Sequence, residues 1–311
     1  MSDPALFGIV GPTASGKTEL ALAVAKRLPV EILVADSRQV YLGMDVGTAK
    51  PNAAAQAAVP HHLIDLVRPD EPFTVADWVE RARPLVLEIA SRGRLPLLVG
   101  GTGLYVAALV DGHDYASQPW SPAVRARLGG ELETEGLGPL VDRLRALDPS
   151  VAAGIDLRNP RRVLRALERA EVGGGGVVPQ ATPHAGAVML LGIERPREIL
   201  YGRIDGRALA LFTSGGLPNE VRGLLDAGYP PQLGPMSGHG YREAAAYLAG
   251  ESSLEDAIDV TARRTRQYAK RQLSWFGRDP RITWLPAGEG PADDEPLVNA
   301  AVDAIRTAGY H

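Results

Sequence analysis

The sequence predicts an α/β protein, in which a parallel sheet forms the core and a helical segment is inserted. Apolar, strand-like runs alternate with segments of helical spacing up to about residue 110, as in parallel α/β sheets. From about residue 121 to 172 helical patterns dominate, and a glycine-rich break at 173–183 follows. We therefore expect a core made of residues 1–112 plus 189–311, with a helical insertion at 113–188.

Local patterns predict the individual elements. Short apolar runs predict buried strands at LFGIVG, VEILVADS, LPLLVGG and AVMLLGIE, and ITWLP is a candidate late strand. Helical spacing predicts helices at TELALAVAKRL and at FTVADWVERARPLVLEIASRG, which Gly93 ends. In the insertion the predicted helices are SPAVRARLGGELETEG, LGPLVDRLRALD and PRRVLRALERAEV. The C-terminal part is mostly helical, through PNEVRGLLDAG, YREAAAYLAG and SLEDAIDVTARRTRQYAKRQLSWFG.

The octapeptide GPTASGKT fits the phosphate-binding pattern G-x-x-x-x-G-K-[ST], and it lies between the first predicted strand and helix. Glycine permits the tight turn and the close approach of a phosphate, Lys17 adds positive charge, and Thr18 can hold Mg²⁺. The helix that follows directs its N-terminus at the anion. The core is therefore expected to be P-loop NTPase-like, with a phosphate site made of Gly11, Pro12, Thr13, Ala14, Ser15, Gly16, Lys17 and Thr18.

An acidic residue, Asp36, ends the second predicted strand. In open α/β sheets ligands bind outside the carboxyl ends of the strands, so Asp36 could serve as a general base or a metal-shell carboxylate. An aspartate that only caps a turn, with help from Ser37, is an equal alternative. Arg38 and Gln39 add guanidinium and amide groups that suit phosphates and bases.

Two further stretches carry polar groups with weaker implications. His61 and His62 could be a metal pair, but no third ligand has suitable spacing, and hydrogen-bonded structure is favoured. The turn GGTGLY follows the third predicted strand and brings Thr102 to the edge of the sheet, although a purely structural strand–helix turn would look the same.

Composition limits the class of protein. Hydrophobic residues make up 45% of the 311 residues, which is enough for a core, and the absence of cysteine excludes disulfides and thiolate metal sites. No apolar run approaches the ~18 residues of a membrane span, so we expect a cytoplasmic protein. The net charge is −4, yet basic residues cluster at 158–165 and 261–278. These clusters suit a polyanion, and solvated helix faces are the alternative.

Six motifs appear in order along the chain: GPTASGKT, DSRQVYLGMDVGTAKP, PHHLIDLVRPDEPFTVADW, LLVGGTGLYVAAL, NPRRVLRALE and ARRTRQYAKRQLSWF. Together, from about residue 6 to 285, they resemble the tRNA dimethylallyltransferase family, also called isopentenyl-diphosphate:tRNA transferases. The resemblance implies Mg²⁺-dependent transfer of a dimethylallyl group from its diphosphate to N6 of the adenosine just 3′ of a tRNA anticodon. The phosphate loop would then bind the diphosphate of the donor, and no phosphoryl group would be transferred.

The resemblance also implies site residues. Asp36 matches the candidate base, and Lys17 and Thr18 would stabilise the departing diphosphate with Mg²⁺. The residues that would contact the tRNA anticodon stem-loop are Asp36, Ser37, Arg38, Gln39, Thr102, Arg125, Arg161, Arg162, Arg165, Gly240, Tyr241, Arg242 and Arg266. Dimethylallyl diphosphate is the expected donor, and neither a membrane nor an obligate protein partner is expected.

Two other functions remain open from the residues alone. An ATP-dependent small-molecule kinase would use the same loop and aspartate, but it leaves the basic C-terminal helix and the later motifs unexplained. A nucleotide-dependent RNA-binding module without catalysis would retain RNA and leave its mass unchanged.

Overall fold

A six-stranded, entirely parallel sheet forms the core of the protein. The computed structural model describes residues 4–112, 121–173, 181–291 and 294–308. The strands are β1 (Leu6–Val10), β2 (Val30–Ala35), β3 (His61–His62), β4 (Leu95–Gly100), β5 (Val188–Glu194) and β6 (Ile282–Pro286). Their order in the sheet is β3-β2-β4-β1-β5-β6, and all neighbouring pairs are parallel. The expected α/β class with a parallel sheet is confirmed.

Helices follow most of the strands. They are α1 (Lys17–Ala25), α2 (Ala53–Ala58), α3 (Val75–Ser91), α4 (Gly103–Val110), α5 (Pro122–Glu135), α6 (Leu137–Leu147), α7 (Pro149–Gly154), α8 (Pro160–Gly173), α9 (Arg197–Thr213), α10 (Leu217–Asp226), α11 (Tyr241–Leu248), α12 (Leu254–Phe276) and α13 (Glu295–Thr307). Among the described residues, none of these helices is long and apolar enough to cross a membrane.

The sheet is buried by helices that pack on it. Leu20 and Val24 of α1 and Ala301 of α13 are fully or almost fully buried in one cluster with residues of β1, β2 and β4. From α3, the buried Trp78 donates its indole N–H to the carbonyl of Val34 at 3.2 Å and stacks on Tyr105 of α4. Because the strands are covered by helices, they are almost uniformly apolar rather than alternating.

The register of the sheet brings three strand ends together. Val10 lies opposite Gly100, and Gly100 lies opposite Ala35. Since the strands are parallel, the residues that follow each of them emerge at the same edge of the sheet. This edge therefore gathers the phosphate loop, Asp36 and the GGTG turn, although they are far apart in sequence.

The chain divides into two compact units, Met1–Asp111 with Pro183–His311, and Gly112–Thr182. Helices α5 to α8 make up the described part of the second unit, with an apolar cluster of their own that includes Leu128, Leu140 and Leu167. We expected the insertion to end at residue 188. Residues 183–187 instead belong with the first unit, since the N–H of His184 bonds to the carbonyl of Val110 and Leu6 N–H bonds to Ala187.

The structure also contains elements that the sequence patterns did not indicate. The histidine pair His61–His62 forms the two-residue edge strand β3. Helices α2, α7, α9 and α13 were not identified individually. Two exposed glycines, Gly202 and Gly206, interrupt the pattern of α9. Most of the glycine-rich break at 173–183 lies outside the described residues.

Replacing Gly100 by alanine should destabilise the sheet. A Cβ on Gly100 would lie 2.1 Å from the carbonyl oxygen of Ala35, which is backbone and cannot rotate away. We expect Gly100→Ala to lower the free energy of unfolding by about 1–3 kcal/mol, as overpacking does. Urea unfolding followed by circular dichroism measures this.

Gly202→Ala is the matched control. Gly202 lies in the interior of α9 with nothing within 4 Å of its would-be Cβ, so alanine should stabilise the protein by about 0.5–1 kcal/mol. A Gly100→Ala protein as stable as the wild type would show that strands β2 and β4 can separate without penalty.

Candidate active site

The phosphate loop, Gly11 to Thr18, connects β1 directly to α1. Gly11 and Gly16 have φ angles of 138° and 103°, and Ala14 has a φ of 63°, so the loop runs repeatedly through backbone conformations with positive φ. Helix α1 begins at Lys17, immediately after Gly16. This arrangement directs the free N–H groups of the first turn of the helix towards the loop, and such a helix start favours anions.

Lys17 is half-buried inside this loop. Its ammonium group donates to the carbonyl of Pro12 at 2.6 Å. Burial lowers the pKa of Lys17 to about 8, a trend that the charge of Asp36 opposes and the charge of Arg207 reinforces. The protonated form of Lys17 is therefore destabilised by burial, and a bound anion would stabilise it.

Side chains from outside the loop form hydrogen bonds to its backbone. Arg195 donates to the carbonyl of Ser15 at 2.8 Å, and Arg203 donates to that of Ala14 at 2.9 Å. The amide of Gln272 accepts from Thr13 N–H at 2.8 Å and donates to the carbonyl of Gly101 at 2.8 Å. Helix α12 thus connects the phosphate loop to the turn after β4.

Asp36 follows β2 and holds a turn at the edge of the sheet. Its Oδ1 accepts from the N–H of Arg38 at 2.8 Å, while Oδ2 has no hydrogen-bond donor among the described residues. Next to it, Ser37 N–H donates to the hydroxyl of Thr102 at 3.0 Å. The predicted turn-capping contact therefore exists, and it leaves one carboxylate oxygen available.

The neighbours of Asp36 are fixed by other loops. The guanidinium of Arg38 donates to the carbonyls of Gly234 and Pro235 at 2.9 and 3.2 Å. Gln39 is 9% exposed and donates to the carbonyl of Thr48 at 3.1 Å, which leaves its amide oxygen without a described partner. Both side chains keep their polar groups close to the strand end.

Two adjoining cavities lie over these groups. The larger, of about 760 Å³, is lined by residues that include Lys17, Thr18, Asp36 and Gln39. The smaller, of about 210 Å³, shares Asp36 with it and adds Ser37 and Arg38 among its lining residues. The larger volume falls within the ~300–1,000 Å³ of typical small-molecule sites.

Arg207 lines both cavities, and the sequence patterns did not single it out. It lies on α9 without an ion-pair partner among the described residues. Burial lowers the pKa of its guanidinium, and the nearby Asp36 and Tyr241 oppose that shift. The spacing of Arg203 and Arg207, four residues apart in a helical segment, places both on one face of α9 and was the available sequence clue.

The histidine pair has structural contacts. His62 Nε2 lies 2.7 Å from a carboxylate oxygen of Glu31, and His61 Nδ1 lies 2.8 Å from the carbonyl of Val59. Within the described ranges, no three histidine, aspartate or glutamate side chains are grouped so that they could hold a metal ion.

The residues of the first unit that we expected to contact RNA differ: some side chains are paired or buried, and others are exposed. Arg266 forms an ion pair with Asp205. Tyr241 is 2% exposed, and its hydroxyl donates to Glu220 at 2.6 Å. Gly240, with a φ of 93°, is the N-cap residue directly before helix α11, and Arg242 in the first turn is exposed. On α12 the exposed basic residues are Arg263, Lys270 and Arg271, with Arg278 just beyond the helix.

In the second unit, two of the expected contacts are already paired. Arg125 and Arg165 both reach the carboxylate of Glu168, at 2.8 and 2.7 Å. Arg161 and Arg162, at the start of α8, have exposed side chains. The basic cluster at 158–165 therefore contains both paired and solvent-facing arginines.

Comparison with known proteins identifies the family. A family model described as IPP transferase matches residues 39–279, and one described as isopentenyl transferase matches residues 4–62. The chain belongs to the IPP transferase family. The first match alone covers more than half of the sequence and contains Gln39, the turn after β4 and helix α12.

Individual relatives of this IPP transferase agree. Curated proteins described as tRNA dimethylallyltransferase are 45% identical in Syntrophobacter fumaroxidans, over 90% of this chain and 83% of the relative, and 44% identical in Geobacter sulfurreducens, over 94% of each. The crystal structure of a tRNA isopentenylpyrophosphate transferase from Bacillus halodurans is 38% identical with a TM-score of 0.73, covering 99% of this chain and 97% of that one. The protein is a prenyltransferase, and these relatives do not support the kinase alternative.

The low pKa of Lys17 predicts that diphosphate binding weakens in alkaline solution. An anion binds the protonated lysine better, so above pH 8 binding must be accompanied by uptake of a proton. We expect the affinity for inorganic diphosphate to fall by up to about tenfold per pH unit between pH 8 and 10. Calorimetric titration at a series of pH values measures it.

Lys17→Arg is the control, because an arginine stays protonated throughout this range. Ionisation of diphosphate itself affects both proteins equally. An identical pH dependence in the wild type and in Lys17→Arg would show that the lysine does not change its protonation state there.

Proposed function

We propose that this IPP transferase transfers a dimethylallyl group from dimethylallyl diphosphate to N6 of the adenosine just 3′ of a tRNA anticodon, in the cytoplasm. The observation that carries the proposal is that the phosphate loop and a carboxylate with one available oxygen line the same cavity. The phosphate loop binds the diphosphate leaving group of the prenyl donor, and the Asp36 carboxylate accepts a proton from the adenosine. Membership in the IPP transferase family supports this pairing.

The donor's diphosphate is bound by the phosphate loop. Cleavage of the allylic C–O bond places negative charge on the diphosphate, and the Lys17 ammonium and the N–H groups at the start of α1 stabilise it. Arg207 reaches the same cavity and adds a second positive charge. Preorganised donors of this kind are worth roughly 3–4 kcal/mol each when they are aimed at developing charge.

Mg²⁺ fits this site as a partner of the diphosphate rather than of a carboxylate cluster. Thr18 is exposed on the wall of the larger cavity, and its hydroxyl has no hydrogen-bond partner among the described residues. Mg²⁺ commonly keeps several waters and takes only one or two protein ligands plus phosphate oxygens. Bound there, it would neutralise charge on the leaving group.

The acceptor reacts through a poor nucleophile. The lone pair of adenine N6 is delocalised into the ring, so removal of an N6 proton as the N6–C1 bond forms assists the attack. Oδ2 of Asp36 receives this proton, the C1–O bond breaks, and diphosphate leaves with the bonding electrons. General-base assistance of this type contributes about 10²–10⁴-fold.

The acceptor base enters from the RNA side. Flipping a base out of the anticodon loop costs a few kcal/mol, which contacts in the pocket must offset. Gln39 lines the larger cavity and Ser37 the smaller one, so the Gln39 amide oxygen and the Ser37 hydroxyl are placed to meet a base, while the Thr102 hydroxyl accepts the Ser37 N–H and fixes this edge. Arg38 stiffens this edge through the carbonyls of Gly234 and Pro235.

Basic residues bind the RNA backbone. The exposed Arg263, Lys270 and Arg271 of α12 and Arg242 of α11 suit phosphate contacts. In the second unit, Arg161 and Arg162 are exposed, whereas Arg125 and Arg165 share Glu168. Tyr241 is buried, so together with the preceding Gly240 it supports this surface through packing.

Mass spectrometry of unmodified tRNA tests the function. Incubation with dimethylallyl diphosphate and Mg²⁺ should add one dimethylallyl group to one adenosine beside the anticodon. RNA that binds and keeps its mass would instead identify a noncatalytic RNA-binding module.

Asp36→Asn should slow the chemical step. Asparagine preserves the shape and can accept the Arg38 N–H bond, but it cannot take the N6 proton. The single-turnover rate at saturating tRNA and donor should fall by about 10²–10⁴-fold, while tRNA affinity changes little. Retention of more than about a tenth of the wild-type rate would reduce Asp36 to a cap, because asparagine is also a good cap.

The basic face of α12 should make salt-dependent contacts. Arg263→Gln should reduce the slope of log affinity against log salt by about 0.7–0.9, the value of one phosphate contact. Arg266→Gln should reduce it less, because Asp205 already pairs with that guanidinium. Filter binding across salt concentrations measures both slopes, with Arg27→Gln, which removes a partner of Glu295, as the control.

If Arg266→Gln lowers the slope as much as Arg263→Gln, Arg266 leaves Asp205 and binds phosphate in the complex. If neither substitution changes the slope, RNA does not follow this face of α12.

A further inference from the structure

Arg195 connects the phosphate loop to the segment that follows β6. It comes directly after β5 and is 8% exposed. Its Nε donates to the carbonyl of Ser15 at 2.8 Å, and its Nη1 donates to the carbonyls of Gly288 and Gly290 at 3.0 and 2.7 Å. All its hydrogen bonds among the described residues are to backbone carbonyls, and it lines neither cavity.

Among the described residues, no carboxylate neutralises the charge of Arg195 locally. No carboxylate of the described residues lies within ion-pairing distance of it, and its Nη2 has no partner there. Burial lowers the pKa of its guanidinium, and the charge of Arg203 adds to that shift, while Glu19 and Asp294 oppose it from a distance. An arginine nevertheless remains protonated, so a full positive charge is buried behind the phosphate loop.

Arg203 provides the contrast within the same loop. It also donates to a loop carbonyl, that of Ala14, but its guanidinium pairs with Glu19 at 3.0 Å. A structural hydrogen bond to a carbonyl therefore does not require an unpaired cation in this protein. Burying a charge without a partner is destabilising unless another interaction compensates for it.

The contact to Ser15 also fixes the direction of a backbone N–H. In a planar trans peptide the carbonyl and the following N–H point to opposite sides. Arg195 holds the carbonyl of Ser15 on the outer side of the loop, so the N–H of Gly16 is held on the opposite side. Gly16, with a φ of 103°, directly precedes Lys17 and helix α1.

We propose that Arg195 is a positioning residue for diphosphate: it holds the Ser15–Gly16 peptide in the anion-binding orientation, and its unpaired charge strengthens the attraction of the loop for the anion. Arg195 itself does not touch the ligand. The identity of the anion as the donor's diphosphate rests on the proposed function. The contacts at Gly288 and Gly290 anchor the guanidinium from its far side.

Binding of inorganic diphosphate by isothermal titration calorimetry tests this. Arg195→Met removes both the charge and the bridge, and it should weaken diphosphate binding by about 10- to 100-fold, the size expected when the N–H of Gly16 no longer donates a charge-assisted hydrogen bond to the anion. Arg195→Lys keeps the charge but cannot span both sets of carbonyls, so we expect a loss of about 3- to 10-fold. The affinity for tRNA should stay within twofold in both variants.

Arg197→Met is the matched control, since Arg197 lies two residues away, is exposed, places its guanidinium over the ring of Tyr201, and has no hydrogen bond or ion pair among the described residues. It should bind diphosphate like the wild type. A purely structural Arg195 would lower thermal stability but leave the diphosphate affinity of the folded fraction, read from the titration stoichiometry, unchanged. That result would overturn the proposal.

If Arg195→Met does not fold, Arg195→Lys decides alone, and an unchanged diphosphate affinity in it overturns the proposal. Inorganic diphosphate needs neither RNA nor a prenyl group. If diphosphate affinity depends on Arg195 but the protein does not prenylate tRNA, the proposed function is wrong and this inference still holds.

Discussion

The site depends on one constraint: the phosphate loop must turn its N–H groups inward and still satisfy its carbonyl groups. A loop with positive φ at Gly11, Ala14 and Gly16 cannot form the hydrogen bonds of a helix or a sheet. Arg203 of α9 and Arg195 at the end of β5 donate to two of these carbonyl groups, and Gln272 of α12 accepts from the N–H of Thr13. The C-terminal half of the chain is therefore required for the N-terminal motif to keep its shape.

The charged groups in the cavity influence one another electrostatically. Lys17 and Arg207 are cations whose burial is unfavourable without an anion, and both feel the charge of Asp36. Diphosphate bound in this cavity, as proposed, would compensate the charges of Lys17 and Arg207.

Sequence patterns predicted the parts of the fold that have strong periodicity. The apolar runs that became β1, β2, β4, β5 and β6 were identified. Lys17 and Asp36, which a local motif and a strand end mark in the sequence, line the same cavity. The two-residue strand β3 has no period to detect. Helix α9 is punctuated by Gly202 and Gly206, so Arg207 was overlooked with it.

Ion pairs between residues that are far apart in the sequence could not be predicted from local patterns. Arg266 and Asp205 are 61 residues apart, and Arg125 and Glu168 are 43 apart, so a basic cluster in the sequence overstated the number of free cations. The same limit applied to Arg195, whose partners lie on either side of it at Ser15 and Gly288. Which cations are free is a property of the fold, since it depends on side chains that only folding brings together.

The turn-capping and catalytic interpretations of Asp36 describe two different oxygens. Oδ1 is occupied by the N–H of Arg38, and this contact fixes the rotation of the carboxylate. With that rotation fixed, Oδ2 is held in one direction without further hydrogen bonds from the described residues. A base that is oriented during folding does not have to lose that freedom in the transition state, which is the usual advantage of preorganisation. The capping contact is therefore part of what would make Asp36 effective as a base.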